Sequence, residues 1–346
     1  MEKHFIKTVS FKNFKCFEEL DVKDIKRVNL IAGKNNIGKT AFMEGVELIV
    51  SSKDAIDLSF NISKMMERRQ YRYCELDFIM ERRQYRCYEL DFIYENSSYV
   101  ELKTDNKKIS IEYIENNSLE EYQPALKLNV NSDEKIVTIE EIANRICNLP
   151  FIRRNRYDSI KSRVNFIKSV AMNEREIAIL YGDLIDLNKE EFLNSSLQLF
   201  DENIMSLKQK ATNKGIILKV ALKDREFPVL LSSLGEGINR YIAILCAIWA
   251  SKDGYLFIDE IENGIHFTNY EKLWEIIFEA SKMANCQVFV TTHSKECIEA
   301  FNRANVDNEG SFLEFYRNKK NKIVVKTRDK EVLDYSLSHS GRIRGE

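Results

Sequence analysis

At 346 residues the chain is long enough for one large domain with an insertion or for two domains, and 44% apolar against 31% charged residues is an ordinary globular balance. Only 12 glycines and 3 prolines argue against long flexible linkers. A net charge of −2 excludes a global basic field, so any contact with nucleic acid or membrane has to come from a local patch.

From Phe5 to Phe17 apolar and polar residues alternate, which predicts a half-buried strand and its turn, followed by a short strand near Leu20 to Val22. The apolar run Val28 to Ala32 then leads into Gly33-Lys34-Asn35-Asn36-Ile37-Gly38-Lys39-Thr40, and a helical pattern runs from Ala41 to Val50. A strand, a GxxxxGK[ST] loop and a helix form a phosphate-binding loop, in which consecutive backbone N–H groups and the helix N-terminus face one anion. Lys39 is expected to reach the β and γ phosphates, and the Thr40 hydroxyl to coordinate magnesium.

Residues 51–64 are polar and mixed and read as a connection. Two near-identical copies follow, MERRQYRYCELDFI at 66–79 and MERRQYRCYELDFI at 80–93. Their alternation favours strand, with a hairpin turning near Glu81-Arg82-Arg83; the pair reads either as a duplication tolerated at an edge or as a basic, aromatic surface for nucleic acid. Further strands are predicted in a hairpin over Tyr99 to Glu115, at Ala125 to Val130, at Lys135 to Ile139 and at Leu149 to Ile152. The cluster Arg153, Arg154, Arg156, Lys161 and Arg163 is a solvated face or a phosphate-contacting patch. Ser159 to Lys210 has helical spacing, and Ile216 to Leu222 and Glu226 to Leu231 read as strands.

Leu231-Ser232-Ser233-Leu234-Gly235-Glu236-Gly237 precedes a helix from Ile238 to Ala250, whose apolar stretch from Tyr241 is too short for a membrane span and reads as buried. Serine and glycine at that helix start again offer N–H donors to an anion. Tyr255 to Ile258 is a buried parallel strand ending in Asp259-Glu260. In a phosphate-loop enzyme Asp259 holds magnesium and Glu260 acts as general base. Gln287 to Thr292 is a further core strand ending at His293, placed to bond the γ-phosphate or the attacking water. A terminal hairpin is predicted from Phe312 to Tyr316 and Lys322 to Lys326.

The seven cysteines show neither CxxC spacing nor a pairing pattern, which points to a reduced, cytoplasmic setting. His293 and Cys297 are four apart, but with no second ligand pair they do not make a metal site. No signal-peptide pattern opens the sequence.

The segments VSFKNFKCFEEL, GKNNIGKT, LSSLGEGINRYIAI, LFIDEIENGIH and VFVTTHSKECIEAF, in that order, resemble the ABC-type ATPases, and within them the prokaryotic group with RecF, the SMC-like proteins and the OLD family, often described as AAA-type ATP-binding proteins. The resemblance implies an α/β fold: an ABC-type head with an N-terminal antiparallel β lobe, a mostly parallel core sheet and a helical insertion. The expected division is an ATPase lobe at 1–50, a β-rich insertion at 51–158, a helical insertion at 159–224, a second ATPase lobe at 225–302 and a hairpin and tail at 303–346. It also implies a dimer closed around two ATP molecules with Mg2+. The loop Gly33 to Thr40 with Ala41 would hold ATP on one side, Ser233, Gly235 and Glu236 of the second copy would contact its γ-phosphate, Lys39, Glu260 and His293 would be catalytic, and Thr40 and Asp259 would hold the metal. Asn263, Gly264 and His266 fall where the family has a dimer-spanning loop, whereas Gln70, Gln84 and Gln123 compete for the γ-phosphate-sensing glutamine. The signature SLGEG lacks the double glycine of transporter ATPases, no coiled-coil arm fits, and the tail is too short for a TOPRIM nuclease. The expected role is therefore an ATPase that controls a separately encoded effector in anti-phage defence, with a RecF-like DNA-binding ATPase as the alternative.

Overall fold

The computed structural model describes residues 5–70, 92–94, 97–116, 123–142, 144, 163–213 and 215–339. The strand readings for 71–91 and Leu149 to Ile152, and the basic residues Arg82, Arg83, Arg153, Arg154, Arg156 and Lys161, lie outside them.

Along the chain run β1 (Val9–Phe14), β2 (Phe17–Val22), β3 (Val28–Gly33), α1 (Lys39–Ser51), α2 (Ala55–Gln70), β4 (Tyr99–Thr104), β5 (Lys108–Asn116), β6 (Gln123–Val130), β7 (Asp133–Thr138) and β8 (Val164–Ile167). The second half adds α3 (Glu174–Asp186), α4 (Glu190–Phe200), β9 (Ile204–Thr212), β10 (Gly215–Leu222), β11 (Val229–Leu230), α5 (Glu236–Ala250), β12 (Tyr255–Ile258), α6 (Tyr270–Met283), β13 (Gln287–Thr292), α7 (Lys295–Ala304), β14 (Gly310–Arg317), β15 (Ile323–Arg328) and α8 (Lys330–Ser338).

The central sheet has the order β15-β14-β3-β13-β12-β8 and is parallel except for the edge strand β15. Its four inner strands, β14, β3, β13 and β12, are buried on both faces, so alternate residues feed two different cores. Leu30, Leu256, Ile258, Val288 and Val290 face the core built with α3 to α7. Ile31, Phe257, Phe289 and Phe315 face the core built with α1, α2 and the antiparallel sheet β2-β1-β4-β5-β6-β7. On that second face the rings of Phe166, Phe257 and Phe289 stack at centroid spacings of 5.9 and 5.3 Å. A third sheet, β11-β10-β9, packs beside α3 and α4.

Two readings from sequence need correction. Residues 55–70 are a helix rather than a connection, and the helix runs into the first repeat copy at Met66. Ala55, Leu58, Ile62, Met65 and Met66 recur at helical spacing and are all buried, a stripe obscured by the polar residues between them. Ser159 to Lys210 is not uniformly helical: Val164–Ile167 is a strand of the central sheet beside β12, and β9 begins at Ile204. The terminal hairpin is present as expected, β14 pairing antiparallel with β15, and β14 also pairs in parallel with β3 and so borders the phosphate loop.

Candidate nucleotide site

The loop after β3 turns into α1 through Asn36 at φ 57° and Gly38 at φ 94°. A side chain at Gly38 would also meet Cys16 Sγ at 2.6 Å and Phe17 Cζ at 2.8 Å, so only glycine fits where the N-terminal lobe presses on the loop. The first turn of α1 holds no acidic residue, which leaves its N-terminal partial positive charge for an incoming anion. The Lys39 side chain folds back over the loop: Nζ donates to the carbonyls of Gly33 at 3.0 Å and Lys34 at 2.9 Å and stands 3.4 Å from His293 Nδ1. Burial pulls the Lys39 ammonium down to about 8, against the opposing pull of Asp259, Glu260 and Glu262.

β12 delivers the two acids. The Thr40 hydroxyl lies 3.2 Å from both carboxylate oxygens of Asp259, and Thr291 Oγ1 donates to Asp259 Oδ1 at 2.6 Å. Burial pushes the Asp259 carboxyl up, and the hydrogen bonds from Thr291 and Thr40 oppose that rise. Immediately after the strand, Glu260 takes φ 49° and its amide donates to Thr291 Oγ1 at 2.8 Å. That turn points its carboxylate at Asn263, whose Nδ2 donates to Oε2 at 2.8 Å and to the Ser169 carbonyl at 3.1 Å, while Oε1 lies 3.8 Å from His293 Nε2. Burial first, then Lys39, lowers the His293 pKa, which favours the neutral ring.

Lys39, Thr40, Asp259, Glu260 and His293, drawn from three adjacent strand ends, are therefore brought together. Ser233, Gly235 and Glu236 are not brought to the loop. They form an exposed turn at the start of α5, and the Ser233 hydroxyl donates to the Leu230 carbonyl of that turn at 2.7 Å. Gly237 lets α5 approach the loop after the acids, since a Cβ there would lie 2.6 Å from the Gly264 carbonyl oxygen. Gly264 and His266 are exposed on that loop. Gln70 closes α2 and Gln123 opens β6, while Gln84 lies outside the described residues.

Two residues of the site were missed from sequence. Thr291 is one of two threonines that close β13 and nothing local marks it out, yet it braces both acids. Arg240, buried in α5, donates to the carbonyls of Lys168 at 2.8 Å, Asp259 at 2.6 Å and Glu260 at 2.9 Å, tying the signature helix to the acidic turn. A charged residue inside the apolar pattern of α5 was the available hint. Of the sequence's basic clusters, Arg68 is taken up internally: it pairs with Glu47 and lies 4.5 Å over the Phe166 ring. Among the described residues no cluster of three or more potential metal-ligating His, Cys, Asp or Glu side chains occurs, and no helix is long and apolar enough to cross a membrane.

Thr40 and Asp259 supply two hard oxygen donors at one point, a fit for magnesium beside a phosphate.

The chain is 27% identical over 325 residues to a protein of Helicobacter pylori named "ATP/GTP phosphatase", covering 85% of this chain and 86% of that one. Over 57 residues it is 37% identical to an uncharacterized protein of Methanocaldococcus jannaschii, covering 16% of this chain and 26% of the other. Among solved structures it resembles an SMC head bound to the C-terminal winged-helix domain of ScpA, with a TM-score of 0.54 at 13% identity over 94% of this chain and 98% of that one. That likeness establishes the head fold. Residues 28–299 match the family described as "AAA domain, putative AbiEii toxin, Type IV TA system", and the chain belongs to that family of P-loop ATPase-class domains.

Proposed function

We propose that the protein hydrolyses ATP as a pair of copies that close around two nucleotides, and that this closure controls a separately encoded effector, a nuclease or toxin, in prokaryotic anti-phage defence. The observation that carries the reading is the split between the two halves of the site. The loop, the acids and His293 converge within one chain, while the Ser233 turn stands exposed with its hydroxyl satisfied locally. A second copy would bring that turn to the γ-phosphate. Exposed Phe227 and Leu230 beside the turn, and Phe267 on the loop after the acids, give such a pairing apolar surface to bury.

In this reading Lys39 and the loop amides from Gly33 to Ala41 bind the phosphates, and Glu260 accepts a proton from the attacking water. His293 contacts the γ-phosphate; its lowered pKa leaves one ring nitrogen able to donate and the other to accept. Thr40 and Asp259 hold Mg2+, which neutralises phosphate charge when bound. The named activity of the Helicobacter pylori relative supports nucleotide hydrolysis and leaves GTP as a competing substrate. The family description supports the defence reading. Residues 1–50 and 225–302 then act as the two ATPase lobes, with the intervening 51–224 as insertions.

Light scattering of Glu260→Gln with MgATP tests the pairing: a doubled mass that needs nucleotide is expected, and a monomer at saturating ATP refutes it. Affinity capture from the native host tests the effector: a stoichiometric polypeptide partner is expected, and recovery of nucleic acid alone counts against it.

A further inference from the structure

Beside the phosphate loop, on the side away from β13, lies an open pocket of about 570 Å³ between the loop and the hairpin β14–β15. The loop contributes Lys34 and Asn36, and the hairpin Tyr316, Arg317, Lys326 and Arg328. Strand pairing accounts for most of the hairpin wall: Glu314 lies opposite Lys326, and Tyr316 and Arg328 are each two residues along from them, so these four share a side, while Arg317 lines the pocket from the last position of β14. Glu314 is buried and committed to Arg328, which also donates to Ser336 on α8. The pocket is therefore left with a positive surplus from Lys34, Arg317 and Lys326.

The hairpin continues that charge beyond the pocket. Residues 317–328 contain Arg317, Lys319, Lys320, Lys322, Lys326 and Arg328 and no acidic residue, in a chain whose net charge is −2. Lys322 pairs with Glu18, whereas among the described residues no carboxylate pairs with Lys34, Lys319, Lys320 or Lys326. Charges on an edge strand guard against edge pairing, which accounts for Lys326 on β15. They do not account for lysines at the hairpin tip or for a cationic pocket walled by the nucleotide loop itself.

We propose that this hairpin and pocket bind single-stranded nucleic acid, the tip lysines tracking its phosphates and one nucleotide entering the pocket with its base against Tyr316. A half-buried aromatic ring, a guanidinium and a cavity of nucleotide size favour that ligand over an acidic peptide, which gains nothing from the ring. The proposal does not depend on the hydrolysis or pairing assignments above.

Fluorescence anisotropy of a labelled 20-mer oligo(dT), titrated with the full chain at several salt concentrations, tests it. Binding should weaken with salt by about 0.7 log units per log unit of salt for each phosphate contact. Lys319→Glu/Lys320→Glu/Lys326→Glu should weaken binding at least tenfold and flatten that slope, and Lys319→Ala/Lys320→Ala should do so partially with melting temperature and ATP binding unchanged. Tyr316→Ala should lower affinity for oligo(dT) about tenfold and leave affinity for inorganic polyphosphate unaltered. No oligonucleotide binding by the unmodified chain, or binding untouched by the triple reversal, would overturn the proposal. So would a poly-glutamate peptide binding as tightly as oligo(dT) with no effect of Tyr316→Ala.

Discussion

Lys39 and His293 stand 3.4 Å apart, Nζ to Nδ1, and the lysine is one of the causes that keep the histidine's pKa low. Two potential cations share one point on the loop while the phosphates that would separate them are supplied only by a ligand. The lysine instead caps two loop carbonyls, at a cost set by its burial.

That cost has a sign. Lys39 falls from 10.5 to about 8 on folding, so between those values the unfolded chain holds a proton that the folded chain has released. Stability from this group therefore rises with pH across the window, and the charged lysine weakens the unliganded fold at neutral pH. Lys39→Met should raise the melting temperature at pH 7, by about 2–4 °C for each kcal/mol regained, while abolishing the stabilisation that ATP gives the unmodified chain. Scanning fluorimetry with and without MgATP checks both; a lower melting temperature, or an ATP shift that persists, contradicts the assignment.

The same burial predicts pH-dependent binding. Phosphate stabilises the ammonium form, so nucleotide affinity should weaken as pH rises through about 8, with net proton uptake on binding near that pH. Calorimetry in two buffers of different ionisation enthalpy reads the uptake. Equal affinities at pH 7 and pH 9 would show that Lys39 is not the titrating group.

Glu260→Gln should retain ATP binding and slow hydrolysis at least about 100-fold, the usual worth of a positioned base. Normal turnover in this variant would move the role of base elsewhere.

Asn263 fixes Glu260 through one bond and the Ser169 carbonyl through another. Asn263→Ala should lower kcat about tenfold or more, the worth of a hydrogen bond to a charged group, with KM nearly unchanged because no phosphate contact is lost. A raised KM at constant kcat would instead place Asn263 in binding.

Arg240 holds three backbone carbonyls around the acidic turn. Arg240→Ala should destabilise the fold by about 2–4 kcal/mol, since buried carbonyls lose their donors, and should depress turnover in the protein that remains folded. Chemical denaturation and a steady-state assay measure the two effects, and an unchanged unfolding midpoint would remove Arg240 from the scaffold of the site.

The sequence by itself determined the features whose signals are local. Val28 to Thr40 spells strand, loop and helix in one stretch, and Tyr255 to Glu260 couples a buried strand to its acids, because backbone geometry and side-chain chemistry there are set by neighbours in the chain. The same held for the apolar runs Tyr255 to Ile258 and Val288 to Val290, which announce burial on both faces. Tertiary structure decided what depends on distant partners. Thr291 becomes a brace only because β13 lies beside β12, 32 residues away from the aspartate it binds. Val164–Ile167 is too short and too polar in its surroundings to declare itself, and becomes a core strand only by pairing with β12. The hairpin was legible as a hairpin, but nothing in it says that Gly310–Arg317 seats against β3. Strand pairing is chosen by which apolar faces can be buried together, and that choice brings a cationic hairpin to the rim of the nucleotide loop.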